Sequence, residues 1–295
     1  MKLVNPEYGR MKEVLKNSFS VNLPRVLISV LLCMILKTSS LLFTSSPVLS
    51  AKSLADGVFS PDLLFALPLF FFSLVIVNVI DFGLIHYLTD FILKKQSALR
   101  SLFYGFTLPV VWKASVFFAL IEALSFAFMT VCSFIFSKNV AAFFLNAEIA
   151  PADMLPFFVS VFFSLIYVVV SLVLKLPFIF TWNIICDDKG VKIFESFSRS
   201  FKLLMPRFFH FAGFVIYSSF KNFILYAVFF CAETFYNSGT AVLVFSFFSI
   251  VQFLLVMTKV YSSRPVYYYS LLSVNGLIGE QVNAEAKEGT DESSS

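Results

Sequence analysis

LLFALPLFFFSLVIVNVIDFGL fills residues 63–84, and only Pro68, Ser73, Asn78, Asp81 and Gly83 depart from Ala, Val, Ile, Leu and Phe. As a helix rising about 1.5 Å per residue, such a stretch is ~33 Å long, enough to cross a hydrocarbon layer of about 30 Å. It lacks the period-two alternation of a membrane β-barrel strand. Backbone groups in lipid must pair within their own segment, so a helix is the form expected. Further apolar runs at 24–43, 108–136, 155–182, 208–230 and 241–260 repeat the pattern. The expected fold is therefore all-α, a polytopic membrane helix bundle of about six transmembrane helices within residues 24–274.

Composition agrees. The chain of 295 residues is 59% hydrophobic and 14% charged, against roughly 25% charged in soluble domains. It carries 41 Phe, more than a soluble core of this size hides. The net charge of +4 is modest, and the basic residues gather beside apolar runs, which argues against a nucleic-acid partner. Cys33, Cys132, Cys186 and Cys231 have no metal-ligand spacing and read as small buried apolar groups. Val48-Leu49-Ser50-Ala51 imitates a signal-peptidase site. The polar stretch with Pro6, Glu7 and Glu13 is unlike a short signal n-region, however, so the first helix is expected to be retained.

Orientation follows from Lys and Arg. Sixteen of the 22 fall on one side, in the N-terminal segment, the second-to-third and fourth-to-fifth connections and the C-terminal side. Only Lys52 and Lys138 fall on the other, and Lys37, Lys113, Lys175 and Lys221 lie within runs. Both termini are expected in the cytoplasm, and the location is read as a bacterial inner membrane. Residues 1–23 form a cytoplasmic amphipathic segment in this reading. Residues 275–295 are acidic and poor in large apolar groups, and are expected to form a disordered cytoplasmic tail.

Amphipathic stretches recur on that side. Phe194, Phe197, Phe201 and Leu204 fall at three- and four-residue steps, with Lys192, Arg199 and Lys202 opposite them. That pattern suits a helix in the headgroup plane with its basic residues at the membrane surface, towards anionic lipid. The same pattern also suits a linker helix packed on the end of the bundle. Residues 97–103 are a weaker copy, and 11–19, with Val14, Leu15 and Phe19 on one side, are a third. Pro24, Pro109 and Pro206 follow the three stretches, and Arg100-Ser101-Leu102 matches Arg199-Ser200-Phe201. An internal threefold repeat is the expectation.

The segment Cys186-Asp187-Asp188-Lys189-Gly190, then Glu195, then Arg199-Ser200-Phe201-Lys202-Leu203 resembles the membrane domain that accompanies some glycerophosphodiester phosphodiesterases. It is also similar to a wider group of bacterial six-helix membrane proteins. Met11-Lys12-Glu13-Val14-Leu15-Lys16-Asn17 resembles their lysine-rich opening helix. The resemblance implies a six-helix fold and a membrane location. It carries over no catalytic residue, because the phosphodiesterase chemistry belongs to a separate soluble domain.

Ionisable groups at membrane depth are the site candidates. Lys37 and Glu122 lie 13 residues after Pro24 and Pro109, and Lys221 lies 15 after Pro206. Equal depth, ~20 Å along each helix, suggests a Lys37/Glu122/Lys221 cluster. It would be either an interhelical clasp or a ligand site whose spare charge receives a lipid phosphate or a carboxylate. Asp81 is expected to pair with Lys113, and a relay through Asp81 and His86 is geometrically poor. Pro177 should kink its helix, with Thr181 or Asn183 re-satisfying the freed carbonyls. Asp187-Asp188 reads as a helix cap in preference to a divalent-cation site or a lipid-headgroup enzyme cleft.

There is no HExxH, GxSxG or P-loop, and Gly is only 10 residues. No catalytic residue, metal or cofactor is expected. The functional expectation is a non-catalytic membrane component that associates with anionic headgroups or a protein partner. The alternative is a small-solute or lipid transporter or channel using the buried charges of the odd-numbered helices.

Overall fold

The computed structural model describes residues 4–48, 61–94, 98–125, 127, 174–235 and 239–276. Every regular element among the described residues is helical. In chain order these are α1 (Tyr8–Val48), α2 (Pro61–Lys94), a 3-10 helix (Leu99–Thr107), α3 (Pro109–Ser125), a 3-10 turn (Leu176–Phe178), α4 (Thr181–Asp187), α5 (Ile193–Leu204), a second 3-10 turn (Met205–Arg207), α6 (Phe208–Phe235) and α7 (Gly239–Val274). Three stretches are long and apolar enough to cross a membrane: Pro68–Leu93, Ile193–Ala232 and Val242–Val274. The count rises to five if Tyr8–Phe19 with Leu23–Ser39, and Leu99–Thr107 with Pro109–Ser125, are each one bent span. Most of the run 155–182, the end of the run 108–136, Cys132, Lys52, Lys138 and the tail beyond 276 lie outside the described residues.

The bends have a local cause. Tyr8–Phe19 meets Leu23–Ser39 at 93°, and Leu99–Thr107 meets Pro109–Ser125 at 83°. Pro24 and Pro109 stand at these turns. Proline donates no backbone hydrogen bond and clashes with the preceding turn, so helix direction is easily lost there. Pro206 sits in a short 3-10 turn, Met205–Arg207, yet Ile193–Ala232 continues as one 40-residue stretch. The order helix, proline, helix thus occurs three times, with a right-angle turn at two of them.

Packing follows the helical period. Val26, Val30 and Cys33 on α1 belong to one buried cluster with Ile80, Leu84, Tyr87 and Leu88 on α2. Both sets repeat at three- and four-residue steps, as facing helix stripes do. In lipid the gain from such contacts is close packing more than water exclusion, which favours small residues between helices. An added Cβ on Gly83 would overlap the Leu102 carbonyl of the 3-10 helix, and one on Gly105 would lie 2.9 Å from the Val79 carbonyl oxygen.

The largest cluster is aromatic and joins α1–α7 at the end where Val4 meets Asn275. Phe82, Phe118, Phe180, Trp182, Phe197, Phe211, Phe214 and Tyr267 are buried there together with Met11 and Leu15. Tyr8 donates its hydroxyl to the His210 carbonyl at 2.8 Å, so the first turn of α1 is held against α6. By contrast α6 and α7 are peripheral. Only 22% and 11% of their apolar windows are buried, against 67% for α2.

At the Pro177 break Ser200, from α5, accepts the Phe180 N–H at 3.1 Å and donates to the Pro177 carbonyl at 3.1 Å. Thr181 and Asn183 are expected in that part, but their side chains make no hydrogen bond among the described residues. Their helix turns them into the core, while α5 brings Ser200 to the broken turn. Ser200→Ala is expected to cost about 1–3 kcal/mol, because it strands a buried donor and acceptor together. Exposed Ser198→Ala serves as the control. Equal thermal midpoints for the two variants in detergent would refute this role.

Candidate functional site

Asp81 lies 13 residues into the Pro68–Leu93 stretch, ~20 Å along the helix. It forms an ion pair with Lys37 of α1. Lys37 also donates to the Tyr261 hydroxyl of α7 at 2.8 Å and lies 5.0 Å from that ring's centroid. The Arg264 guanidinium sits 5.0 Å from the same ring, a distance at which a cation is attracted to the π face. Arg264 and Lys175 both act electrostatically on Asp81. Lys175 pairs in turn with Glu122 of α3. Asn78, one turn before Asp81, donates to Glu122 Oε2 at 3.3 Å and to the Leu74 carbonyl at 2.8 Å.

These contacts form one polar layer across α1, α2, α3, α7 and the segment before α4. It contains three cations, Lys37, Lys175 and Arg264, and two carboxylates, Asp81 and Glu122. Buried charges of this kind persist because each carboxylate is closed by a cation from another segment. The arrangement can lock helices together and hold a positive surplus. Among the described residues no group of three or more His, Cys, Asp or Glu side chains could hold a metal ion.

The three residues expected to cluster are distributed differently. Lys37 and Glu122 both lie in the layer, but each has a different partner, Asp81 and Lys175. Lys221 is exposed on α6, outside this network. Asp81 does not pair with Lys113, which is exposed on α3. His86 lies 3.7 Å from Asp90, one helical turn further on, and its ring is 4.8 Å from that of Tyr104.

The acidic pair before α5 does not cap that helix. Asp188 accepts the Gly190 N–H at 3.0 Å, and Asp187 accepts the Tyr269 hydroxyl. Lys192 is the N-cap of α5 and makes no side-chain cap bond. The neighbouring Lys189 lies 5.2 Å from the Tyr104 ring centroid, and the Tyr104 hydroxyl raises its pKa by favouring the ammonium form.

On α5, Lys192, Arg199 and Lys202 are exposed, with Arg199 bonded to Glu195 at 2.6 Å. Phe197 and Leu204 are buried, whereas Phe194 is 82% exposed. The helix therefore has an apolar residue on its outward side as well as an inward seam.

Besides Asn78, Tyr261 and Arg264 are the members of the layer that sequence reasoning missed. A signal for them was present: Tyr261-Ser262-Ser263-Arg264 breaks the apolarity of the last run. No family model, curated protein or solved structure matches this chain.

Proposed function

We propose that this chain is a non-catalytic component of the bacterial cytoplasmic membrane. In this reading it has six spans, both termini inside, and an end that associates with anionic lipid and can present it to a protein partner. The observation carrying the proposal is the pair of right-angle turns, which set Tyr8–Phe19 and Leu99–Thr107 across the spans they feed. Tyr8–Phe19 buries Met11 and Leu15 and exposes Lys12, Glu13 and Lys16. Leu99–Thr107 buries Leu102 and exposes Leu99, Arg100 and Phe103. A short helix across a bundle's end with basic and apolar residues outward suits the headgroup layer. The pairing of both interior carboxylates with lysines supports a structural clasp over a conduction path. Ser200 has an architectural part, so the Arg-Ser-aromatic pattern needs no catalytic role in this reading.

The test is the lipid shell. Full-length chain in vesicles of equal phosphatidylglycerol and phosphatidylcholine would be extracted into polymer-bounded discs, and the captured lipid analysed. Wild type should enrich the anionic lipid, and a Lys16→Gln, Arg100→Gln, Lys192→Gln, Lys202→Gln variant should return it to the bulk ratio. No enrichment by wild type, or undiminished enrichment by the variant, sinks the reading.

One observation favours transport as a second reading. Asn183 is fully buried, and among the described residues neither of its amide atoms nor the hydroxyls of Thr181, Ser115 and Ser262 have a hydrogen-bond partner. Buried polar groups without partners are costly, and they are groups a polar solute could engage. Solute flux into proteoliposomes that falls on Asn183→Leu would support transport. A more stable protein with no flux in either form would support the clasp.

A further inference from the structure

Three lysines gather on the periphery of the bundle, apart from the polar layer. Lys12 of α1 stands 4.6 Å from the ring centroid of Tyr217 on α6. Lys221 lies one helical turn beyond Tyr217, on the same side of α6. Lys259 of α7 donates to the Asn222 side-chain oxygen at 2.5 Å, and Asn222 donates to Gln252 at 3.1 Å. Ser218 and Ser263, one turn nearer the polar end, are 3.2 Å apart and fix the pairing of the two helices at this level. Lys12 and Lys221 are both close enough for their charges to act on Lys259.

None of the three pairs with a carboxylate among the described residues, and Glu7, on the approach to Lys12, is engaged by Arg10 at 3.3 Å. Three like charges without an acid repel one another, and the repulsion grows as water is excluded. Each ammonium has three N–H donors, and a single Asn222 oxygen answers only one of the nine. The group that fits is an anion with several acceptor oxygens, which points to phosphate over a single carboxylate.

Depth and surroundings narrow the source. From Asn222 to the end of α6 is 13 residues, and from Gly239 to Lys259 is 20. These correspond to ~20–30 Å of helix, close to one hydrocarbon thickness. The lysines therefore lie near one edge of the apolar slab formed by α6 and α7, within snorkelling reach of a headgroup. Beside them Ile216, Phe220 and Phe223 are 62%, 57% and 56% exposed, an apolar bed for acyl chains. A free anion would have no use for that bed.

We propose that Lys12, Lys221 and Lys259 form the phosphate-binding head of a site for one anionic phospholipid, whose acyl chains lie along the outer face of α6. This rests on the lipid-associated reading and deepens it from a general preference for anionic lipid to a single retained molecule.

Native mass spectrometry tests it on the full chain, transferred from vesicles of equal phosphatidylglycerol and phosphatidylcholine into detergent and washed. Wild type should retain one phosphatidylglycerol. Lys12→Gln/Lys221→Gln should lower that retention by about 25-fold, from about fivefold for each of the two lysines. Both lysines are exposed, and this variant leaves the Lys259–Asn222 bond intact, so folding should be preserved. Its circular dichroism and thermal midpoint should match wild type.

The Lys192→Gln/Lys202→Gln variant should retain the lipid, which separates this site from the broader surface preference. Loss of disc enrichment with the single lipid intact would sink the surface reading alone. Equal retention of phosphatidylcholine, or unchanged retention in Lys12→Gln/Lys221→Gln, would overturn the site. Delipidated protein that takes up inorganic phosphate but no phosphatidylglycerol would also overturn it, by making a free anion the ligand.

Discussion

Asp81→Asn should destabilise the protein by about 3–5 kcal/mol, the usual cost of leaving a buried charge without its partner. Asp81 is the carboxylate that Lys37 binds and on which the Arg264 charge also acts. The other acid of the layer, Glu122, is already engaged by Lys175 and Asn78. Removing the charge of Asp81 therefore strands two cations at once. Lys37→Met should cost less, because Asp81 then keeps Arg264. Lys37→Met/Asp81→Leu should recover most of the loss, since both replacements suit an apolar bundle and only the pair's geometry is given up.

The expected order of loss, Asp81→Asn, then Lys37→Met, then the double variant, follows from the three-to-two surplus of cations. Unfolding in mixed micelles with increasing SDS would give it. An Asp81→Asn protein as stable as wild type, or a double variant worse than either single one, would contradict a buried, closed pair.

The part of this network legible in the sequence was its chemistry. Lys37, Glu122 and Asp81 stood out because ionisable residues inside apolar runs are rare. Their partners were not legible, because depth was counted along each helix from a proline. Equal distance from Pro24 and Pro109 placed Lys37 beside Glu122, but distance along an axis carries no information about which face a residue occupies. The expected pairing of Asp81 with Lys113 fails on the same ground, since Lys113 is exposed on α3 and Lys37 reaches Asp81 instead.

Pro24 and Pro109 mark true breaks in helix direction. Pro206 has similar flanking sequence, yet Ile193–Ala232 runs on. A proline within the first turn of a helix removes no bond that the helix would otherwise make, so the residue alone does not set the angle. The amphipathic pattern of residues 193–204 also left two faces open. The structure seats Phe197 in an aromatic cluster, 4.4 Å from Phe117 and 5.4 Å from Phe118. Phe194 and Phe201 are turned outward.

Gly83→Ala should be strongly disruptive, although helix propensity alone predicts the opposite. Within a helix, alanine is favoured over glycine by about 1 kcal/mol. Here the new Cβ would overlap the Leu102 carbonyl oxygen and stand 2.7 Å from its carbon. The obstacle is backbone, so no rotamer change relieves it. The 3-10 helix is also held from both sides, by Leu102 buried among α1 and α2 residues and by Gly105 against the Val79 carbonyl and the Phe82 ring.

Relief requires the two segments to separate, and that opens the seam formed by Leu84, Leu88 and Leu102. The net loss is expected to reach about 3 kcal/mol, the upper end for overpacked sites. Gly9→Ala is the matched control, because nothing lies within 4 Å of its added Cβ. Gly83 is two residues from Asp81, so a displaced α2 should also weaken the Lys37–Asp81 coupling measured by a double-mutant cycle in the Gly83→Ala background. Equal stability of Gly83→Ala and Gly9→Ala would mean that α2 and the 3-10 helix do not meet backbone to backbone. A destabilised protein with full coupling would mean that the seam and the charge layer are held independently.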